Sequence, residues 1–567
     1  RGGRGSGTAL LLGPVDGLNT SSISQRMLKE PQGNKDCQDA NEDEDEDEDD
    51  EDEHVVVGEY RPDLPVYSAA DVAKHHRLAE EGGSGVWVSF RGGVYDVSEF
   101  VAIHPGGRKL LLAAGGAIDP FWALYAEHLK APTFALLEEM RIGNLRAEDR
   151  YLAATNSTAS ATSTGADISD LGPYTSEPTR SPVLIPHTER PYNAEPPLTL
   201  LLDRFLTPND IFYVRNHLPV PRLDEQSYRV LIRGLGLPSD VELDLATLKE
   251  QFEHVTIVAT LQCGGNRRKS MSDQKEVKGT PWREGAISNA SWTGARLRDV
   301  LLAQGITAEN SSALHVVFEA YDTDGIAAYE ASIPAHRVFA ENSDILLAWA
   351  MNDAPLSLDH GYPLRVIVPG TVGARSVKWL STIRLSPIES QGHWQQNDYK
   401  FLPPCTEWGS AVDYSCVPAI QDMPVQSAIL SPLDLSTLPP DSESIQVEGY
   451  AWSGGGRKVI RLDVSIDDGR TWHPASFQHE DVEKEILPDD PYANHWAWRI
   501  WKAEIQLPEA VLEAARAGQE TTLEVCCKAT DSSCNSQPSD TLSIWNIRGL
   551  VNNSWHRIRV VVPSGSS

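Results

Sequence analysis

The sequence predicts a multidomain α+β protein that ends in a β-sandwich, and three observations lead to this fold class. The chain has 567 residues, whereas one hydrophobic core usually serves roughly 100–200 residues. Two polar stretches without apolar periodicity interrupt the globular composition, which is typical of a disordered segment and a linker. After about residue 425, apolar and polar residues alternate with the period of a half-buried strand.

These changes in composition predict five parts in chain order. Residues 1–54 form a disordered acidic segment, residues 55–146 a small α+β domain, and residues 147–188 a flexible linker. Residues 189–425 form a larger α+β domain, and residues 426–567 form the β-sandwich. Because the linker contains a long run of Ala, Ser, Thr and Asn, we expect the domains on either side to move relative to each other.

The charge of the chain is strongly negative and unevenly distributed. Lys and Arg number 49 against 81 Asp and Glu, which gives a formal net charge of −32. Residues 42–53 are all acidic, so this run is either a self-repelling tail or a docking segment for a basic partner. Such a field disfavours nucleic acid as a partner, and no apolar run approaches the ~20 residues of a membrane helix. We therefore expect neither nucleic-acid binding nor membrane insertion.

The seven cysteines do not have the pattern of a disulfide-rich secreted domain. Their number is odd, the chain is long, and no spacing between them is typical of a zinc site. The sequence starts at Arg1 rather than at Met, so a targeting segment is absent or unreadable.

A hairpin and two histidines characterise the small domain. The apolar residues 86–90 and 94–97 flank Arg91-Gly-Gly, which predicts two strands joined by a tight turn. His104 is followed by Pro-Gly-Gly, which ends the preceding helix and fixes the direction of the histidine. His128 closes a later apolar segment. The small and apolar residues between the two histidines suit the wall of a site for a flat apolar ligand.

This segment resembles the cytochrome b5 family over its whole length. In that family the two histidines are the axial ligands of one heme b, so the resemblance assigns His104 and His128 to the heme iron. A heme with imidazole at both axial positions transfers single electrons and has no open position for a substrate. The resemblance therefore implies an electron-transfer domain with a cytochrome b5-like α+β fold.

A cysteine in a turn rich in Gly and Arg is the main candidate in the larger domain. Cys263 follows an apolar, strand-like run and precedes Gly-Gly-Asn-Arg-Arg. Glycines allow close approach of the backbone, and neighbouring cations favour the thiolate, which is a soft metal ligand. From these residues alone, Cys263 is either a reactive or metal-binding cysteine or a buried structural one.

Residues from about 190 to the end of the chain resemble the sulfite oxidase family of molybdenum enzymes. The segments that match the family pattern are Phe-Tyr-Val-Arg-Asn-His-Leu-Pro at 212–219, the Cys263 turn, Lys-Glu-Val-Lys-Gly at 275–279 with Trp282, Asp-His-Gly-Tyr-Pro at 359–363, Val-Gly-Ala-Arg-Ser-Val-Lys at 372–378, and Tyr-Ala-Trp-Ser-Gly-Gly-Gly-Arg at 450–457. In this family a cysteine thiolate binds molybdenum beside the dithiolene of one molybdopterin. The resemblance gives this role to Cys263.

The resemblance also assigns substrate and cofactor residues. Sulfite and sulfate are anions, and guanidinium groups offer them a fixed charge and paired donors. Besides Cys263, the residues implied for substrate and catalysis are Arg215, Arg268, Arg457, Trp282, Tyr329 and Lys278. Besides Cys263, the residues implied for molybdopterin are Tyr213, Val214, Arg215, Asn216, His217, Asp322, His360, Arg365, Ser376, Val377 and Lys378.

Several of these residues have a structural alternative when they are considered without the resemblance. Arg457 could be a surface arginine of a hairpin loop, Lys278 a solvated lysine, and His217 and His360 core histidines. Glu330 stands beside Tyr329 where the family usually has a small residue.

Alternating residues define the C-terminal domain. Ile460, Leu462, Val464 and Ile466 alternate with polar residues and lead into Asp-Asp-Gly, which predicts a half-buried strand and a hairpin turn. A second such strand begins at Leu523. The pattern favours an immunoglobulin-like β-sandwich, and the resemblance implies that this domain forms a homodimer.

Taken with the cytochrome b5-like domain, the resemblance implies oxidation of sulfite to sulfate at a Cys-ligated molybdenum–molybdopterin centre. Electrons would pass one at a time through heme b to cytochrome c, a basic protein that suits the negative charge of this chain. Relatives of this architecture imply the mitochondrial intermembrane space. The alternatives are a nitrate reductase-like molybdoenzyme, in which the heme domain follows the molybdenum domain, and a heme electron carrier without enzymatic activity.

Overall fold

The computed structural model describes two compact units. The described residues are 57–79, 82–104, 110–111, 113–122, 128, 130–150, 174, 177–324, 327–407, 412–440, 442–487 and 493–564. The first unit comprises residues 1–119 and 127–152, and the second comprises 120–126 and 153–567. The predicted disordered segment 1–54 and the Ala/Ser/Thr-rich part of the predicted linker lie outside the described residues.

The first unit is built on one five-stranded sheet with the order β1-β5-β4-β3-β2. The predicted hairpin is confirmed, because β3 and β4 pair in antiparallel fashion from Trp87 opposite Asp96 to Phe90 opposite Gly93. The α-helices of this unit are Ala69–Val72 and Ala131–Glu139, and a third helix in this part of the chain, Asp119–Trp122, has all but its first residue assigned to the second unit. The strands are β1 (Val66–Tyr67), β2 (His76–Arg77), β3 (Gly85–Phe90), β4 (Gly93–Asp96) and β5 (Arg141–Leu145).

The middle of the chain forms two large sheets and one small sheet. Their orders are β10-β9-β18-β13-β14, β11-β12-β15-β16 with β17 on β15, and β6-β7-β8. The strands are β6 (Ile185–Glu189), β7 (Tyr192–Glu195), β8 (Val214–Arg215), β9 (Arg229–Gly234), β10 (Val241–Asp244), β11 (Val255–Gln262), β12 (Ile287–Arg296), β13 (His315–Thr323), β14 (Ala328–Pro334), β15 (Leu346–Met351), β16 (Ala354–Pro355), β17 (Arg365–Ile367) and β18 (Leu380–Ser386).

Short helices connect these strands and cover the sheets. The α-helices in this part are Leu245–Gln251, Arg268–Ser272, Leu297–Ala303, Ala308–Ser311 and Ala335–Phe339. The Asp244 side chain caps the first of them by accepting from the Thr247 N–H at 2.8 Å. The mixture of sheets and short helices is the α+β architecture that the sequence predicts, and no helix in the described ranges is long and apolar enough to cross a bilayer.

The C-terminal part is a sandwich of two sheets with the orders β19-β21-β25-β24 and β20-β27-β26-β22-β23. Apolar residues from both sheets share one buried cluster, including Val447, Val464 and Val525. The helices here are Glu480–Ile486 and Glu509–Arg516. The strands are β19 (Gln426–Ser431), β20 (Ser436–Thr437), β21 (Ser444–Trp452), β22 (Val459–Ser465), β23 (His473–Pro474), β24 (Ser476–Phe477), β25 (Arg499–Gln506), β26 (Thr521–Asp531) and β27 (His556–Val562).

One residue of the predicted alternation lies on the wrong side of the sandwich. Leu462, Val464 and Ile466 are buried as expected, whereas Ile460 is 52% exposed. The reason is an irregularity in the pairing of β22 with β26, where the register shifts between Val459 and Arg461. A bulge of this kind breaks the two-residue period and turns the inserted side chain outward.

Arg267 joins the middle of the chain to the C-terminal sandwich. Its guanidinium is fully buried and donates to the carbonyl oxygens of Ser427 at 3.3 Å, Ser554 at 2.7 Å and Trp555 at 3.3 Å. The Asn552 side chain in turn donates to the Arg267 carbonyl at 2.9 Å. The turn that follows Cys263 is therefore held by the sandwich.

Replacing Arg267 by Met should lower the free energy of unfolding by about 2–4 kcal/mol, because the carbonyl groups it serves lose their donor while staying buried. Urea unfolding followed by tryptophan fluorescence, at a fixed protein concentration, measures this change. Arg516→Met is the matched control, since Arg516 pairs with Glu509 at the surface with both side chains more than 60% exposed. Equal unfolding midpoints for the two variants would contradict the proposed anchoring.

Candidate functional site

Most of the residues that the sequence assigns to substrate and cofactor line one cavity in the second unit. Its lining includes Phe212, Tyr213, Arg215, His217, Cys263, Asp322, Tyr329, His360, Arg365, Ser376, Val377, Lys378 and Tyr399. These residues come from positions 212 to 399 of the chain, so the packing of the sheets brings them together. Val214 and Asn216 are buried directly beside the lining residues, in and after β8.

Cys263 occupies the point where β11 ends and the chain turns. Its amide donates to the Ala286 carbonyl at 2.9 Å, and the thiol accepts from the Gly265 N–H with a donor–sulfur distance of 3.4 Å. Asn266 donates to the Tyr450 hydroxyl at 2.8 Å, so the far side of the turn is also fixed. A buried strand before the turn and a hydrogen-bonded loop after it hold the sulfur at the cavity.

Arg268 begins the short helix after this turn and is also almost completely buried. Its guanidinium donates to the carbonyls of Thr280 at 2.7 Å and Arg548 at 3.1 Å. Burial lowers the pKa of Arg268 to about 10, and Cys263 opposes this change while nearby arginines add to it. The group thus remains cationic at neutral pH in a setting where little water screens its charge.

Glycines make the room that this guanidinium occupies. A Cβ at Gly279, which has a φ of +124°, would lie 2.8 Å from the guanidinium carbon of Arg268. A Cβ at Gly265 would lie 2.6 Å from the same atom. Any side chain at these positions would displace the arginine.

Arg548 and Asp398 form an ion pair beside Arg268 that the sequence analysis did not identify. Burial alone would raise the pKa of the Asp398 carboxyl, but the guanidinium of Arg548 and the charges of Arg215 and Arg268 hold it below its ordinary value. Arg548 lies in the segment after the last helix, far from the motifs around Cys263. The sequence gives little indication of this role, because a single Arg followed by a Gly is not a recognisable motif and lies far along the chain from Cys263.

Tyr399 is the second residue that the sequence analysis missed. Its hydroxyl lies 2.7 Å from Nε2 of His217. Electrostatic interactions also act on its pKa, which Arg215 lowers and Cys263 raises. Burial raises its pKa to about 12, so the hydroxyl keeps its proton at neutral pH. Tyr329 also lines the cavity, but its hydroxyl donates to the Ala374 carbonyl at 2.9 Å. Tyr399 is thus the tyrosine hydroxyl grouped with the arginines.

Glu330, the departure from the family pattern, does not disturb the cavity. Successive residues of a strand face opposite sides of a sheet, and Tyr329 and Glu330 are neighbours in β14. The Glu330 carboxylate pairs with Arg384 at 2.6 Å on the other side. A large residue is therefore accepted there without a change at Tyr329.

The other side of the cavity carries buried polar groups that suit a polar ring system. Burial raises the pKa of Asp322 to about 7 and lowers that of Lys378 to about 7. Arg365 donates to the carbonyls of His360 at 3.0 Å and Ser376 at 2.9 Å, and burial lowers the pKa of His360 to about 3.

Some of these buried atoms have no hydrogen-bond partner among the described residues. They are Asp322 Oδ1, Arg365 Nε and the side-chain oxygen of Gln262. Gln262 is the last residue of β11 and directly precedes Cys263. Buried polar atoms are nearly always paired in folded proteins. Acceptors and a donor left over at one cavity are what a bound heterocycle with N–H groups and a phosphate would satisfy, so the residues fit molybdopterin.

Four of the residues predicted for substrate binding are not among the residues that line the cavity: Arg268, which lies beside it, and Arg457, Trp282 and Lys278. Arg457 donates to Asp531 at 3.0 Å and to the Met423 carbonyl at 3.1 Å. Trp282 is fully buried behind Tyr213, with ring centroids 6.5 Å apart. Lys278 is half-buried close to the charge of Arg548, and burial lowers its pKa. The C-terminal part contributes Arg548 to this region instead of Arg457, because the latter is already held by a buried carboxylate.

In the first unit, His104 and His128 lie close together. Their ring centroids are 6.1 Å apart and the ring planes differ by 11°. A histidine nitrogen lies about 2 Å from a bound metal, and the ring centre lies about 1 Å beyond it, so rings on either side of one iron have centroids about 6 Å apart. The pair therefore fits axial ligation of a heme, although residues 105–109 and 123–127 lie outside the described residues.

Comparison with known proteins agrees with this division of the chain. Family models match residues 68–146 as a cytochrome b5-like heme/steroid binding domain, residues 217–394 as an oxidoreductase molybdopterin binding domain, and residues 417–562 as a Mo-co oxidoreductase dimerisation domain. These descriptions correspond to the small domain, the cavity and the sandwich.

Similar proteins cover most of the chain. The sulfite oxidase of Gallus gallus is 46% identical over 498 residues, which are 88% of this chain and 100% of that protein. The mitochondrial sulfite oxidase of Rattus norvegicus is 45% identical over 501 residues, covering 88% of this chain and 85% of that protein. The sulfane dehydrogenase SoxCD from Paracoccus pantotrophus superposes with a TM-score of 0.52 at 21% identity, covering 69% of this chain and 89% of that chain. The last comparison shows a shared fold.

Gly279→Ala should weaken the binding of sulfate, used as a probe of the arginine cluster, by about tenfold or more, since a Cβ there displaces the Arg268 guanidinium. Titration calorimetry at constant ionic strength measures the affinity. Gly305→Ala is the control, because Gly305 also has a positive φ, +75°, but a Cβ there meets no atom within 4 Å. The role of Gly279 is refuted if both variants bind sulfate equally well.

Proposed function

The chain belongs to the sulfite oxidase family of oxidoreductases, and on that premise we propose that it oxidises sulfite to sulfate in the cavity at Cys263. The observation that carries the proposal is that Cys263 and Arg215 line one cavity while the buried Arg268, which interacts electrostatically with both of them and with Arg548, lies beside it. A soft sulfur ligand beside several fixed cations suits a metal centre that acts on a small oxyanion.

Two cofactors belong to this function. Molybdenum bound to molybdopterin and to the Cys263 thiolate supplies the two-electron oxidation of sulfite. Asp322, His360, Arg365 and Lys378, with the other buried polar residues of that side, would hold the pterin and its phosphate. The unpartnered Nε of Arg365 suits the phosphate, and the unpartnered oxygen of Asp322 suits ring N–H groups. Lys378, which already donates to three oxygens, would contribute its positive charge.

The three arginines would bind and orient sulfite. Arg268 and Arg548 are fixed by backbone carbonyls and by Asp398, so they reach the substrate without a large loss of side-chain entropy. Tyr399 stays protonated, with a pKa of about 12, and can therefore donate a hydrogen bond to a substrate oxygen. We assign this role to Tyr399, with the Nε2–H of His217 donating to the Tyr399 oxygen so that the hydroxyl proton is left for the substrate, whereas the proton of Tyr329 is engaged by a backbone carbonyl.

The cytochrome b5-like domain would remove the electrons. His104 and His128 would hold a heme that accepts one electron at a time, and because oxidation of sulfite releases two electrons, such a heme would have to serve twice in each turnover. We assign cytochrome c as the acceptor, since a basic protein complements the net charge of −32. The sandwich would form the homodimer, and the mitochondrial name of similar proteins supports the intermembrane space as the location.

An anaerobic visible spectrum of the purified, metal-assayed protein tests the proposed function. Sulfite should reduce the heme bands of the unmodified protein and leave them oxidised in Cys263→Ser, which keeps the heme domain intact. If the heme stays oxidised although molybdenum is present, sulfite oxidation or transfer to the heme is refuted. Chemically reduced heme that is then reoxidised by nitrate would instead support a nitrate reductase, and no response to either anion would support a simple electron carrier.

The rate of cytochrome c reduction should fall at least several-fold when ionic strength is raised from about 20 to 300 mM, because salt screens the attraction between opposite net charges. Steady-state kinetics below saturation measure this rate. Ferricyanide, an anionic acceptor, is the control and should show the opposite trend. A salt dependence of the same sign for both acceptors would argue against electrostatic steering by this chain.

A further inference from the structure

A second cavity of about 450 Å³ adjoins the one that contains Cys263. Phe212 and His360 line both cavities, so they form the wall between them. The outer wall of the second cavity comes from residues 177–181 and Leu184, which belong to the end of the predicted linker. We call residues 177–184 the strap. The strap lies over the side of the site that carries the proposed pterin residues.

Two charged residues fasten the strap to the domain. The Glu177 carboxylate accepts from the Val220 N–H at 2.9 Å and pairs with Arg180. Arg180 lies 4.0 Å from the ring centre of Tyr192 and donates with two nitrogens to the two oxygens of Asp359, both at 2.9 Å. Both side chains of the latter pair are nearly buried, at 12% and 9% exposure. A paired-donor contact of this kind is geometrically specific.

Asp359 also contacts residues on the cofactor side of the cavity. Its Oδ1 also accepts from the Asn216 side chain at 2.9 Å, and its carbonyl accepts from Lys378 at 2.8 Å. Lys378 donates further to the Arg215 carbonyl at 3.0 Å. Through the ion pair between Arg180 and Asp359, the strap is thus connected to Asn216, Lys378 and Arg215. The proposed function places these three residues at molybdopterin and substrate.

Glu177, Arg180 and Asp359 alternate in charge along this path, and the neutral Asn216 side chain is a further partner of Asp359. Although burial would raise the pKa of Asp359, the guanidinium of Arg180 and the charge of Lys378 hold it below the ordinary value. Removing the guanidinium would leave a buried carboxylate that must find another cation. After Arg180, Lys378 is the cation whose charge acts on Asp359. A shift of the Lys378 ammonium toward the Asp359 carboxylate would move it away from the proposed pterin site.

We propose that the strap is a latch that retains the pterin, with Arg180 as the positioning residue that closes it. This inference rests on the proposed function only in requiring that a pterin is bound. The latch closes the second cavity, fixes the segment from which the linker departs, and holds Asn216 and Lys378 through Asp359. Opening it exposes the wall formed by Phe212 and His360, which separates the two cavities.

The test measures loss of pterin from the full-length holoprotein under non-denaturing conditions. Released pterin is quantified by its fluorescence after oxidation, and retained molybdenum is measured per chain. Arg180→Ala should release pterin at least tenfold faster than the unmodified protein, and Arg180→Lys, which keeps one charged donor for Asp359, should restore much of the retention. The surface variant Arg516→Ala should behave like the unmodified protein.

Unfolding measurements separate a latch from a merely structural contact. A latch accelerates pterin release at temperatures where near-ultraviolet circular dichroism shows the fold intact, whereas a structural contact accelerates it only as far as the chain unfolds. Glu177→Gln removes the charge that pairs with Arg180 but leaves the ion pair between Arg180 and Asp359. It serves as a second test variant if Arg180→Ala folds poorly, and it should speed pterin release about threefold.

The outcomes distinguish this inference from the proposed function. Unchanged release in Arg180→Ala and Glu177→Gln, or faster release that follows unfolding alone, overturns the latch. A protein that retains pterin through Arg180 but does not reduce its heme with sulfite supports the latch and refutes the function. A chain purified with molybdenum machinery that carries no pterin at all overturns both.

Discussion

The burial of positive charge around one sulfur atom is the constraint on which the rest of the site depends. Arg268, Arg365 and Lys378 are held away from water, and burial lowers the pKa of each of them. Moving a guanidinium or ammonium group out of water is costly unless fixed partners replace the solvent. The protein supplies those partners as backbone carbonyls, so Arg268 and Arg365, whose pKa values are about 10, remain charged at neutral pH and held in place beside a site that an anion can enter.

Three stretches of the chain contribute to this arrangement, and none of them forms it alone. The turn after β11 provides Cys263 and Arg268, the short strand β8 provides Arg215, and the segment after β26 provides Arg548. Arg267 and Asn266 tie the turn to the sandwich through Ser554 and Tyr450. The C-terminal part therefore shapes the site as well as providing the surface that its family description associates with dimer formation.

In the proposed function, the cytochrome b5-like domain and the molybdopterin binding domain divide the chemistry between two compact units. A site that changes by two electrons needs a partner that can leave with one electron and return, and a tethered domain is suited to that task. The end of the predicted linker is held by the ion pair between Arg180 and Asp359. In the latch that we propose, this ion pair also closes the cofactor side of the cavity.

The sequence by itself determined the features that depend on neighbours along the chain. The two histidines, the cysteine turn, the hairpin around Arg91 and most of the strand alternation were readable because local spacing sets which face a residue presents. The resemblance of these segments to the cytochrome b5 and sulfite oxidase families implied both cofactors and the order of the domains. The boundaries chosen within the second unit remain a proposal, because its parts share extensive packing.

Only the tertiary structure decided which distant residues meet. Tyr399 lines the cavity and contacts His217, Arg548 pairs with Asp398 near Arg268, and Arg457 is held by Asp531. These pairings span many tens of residues or follow from sheet packing. The bulge that exposes Ile460 is likewise a property of how β22 pairs with β26. Periodicity reports whether a side chain is buried, but the partner it meets depends on how sheets stack, and that information is not local.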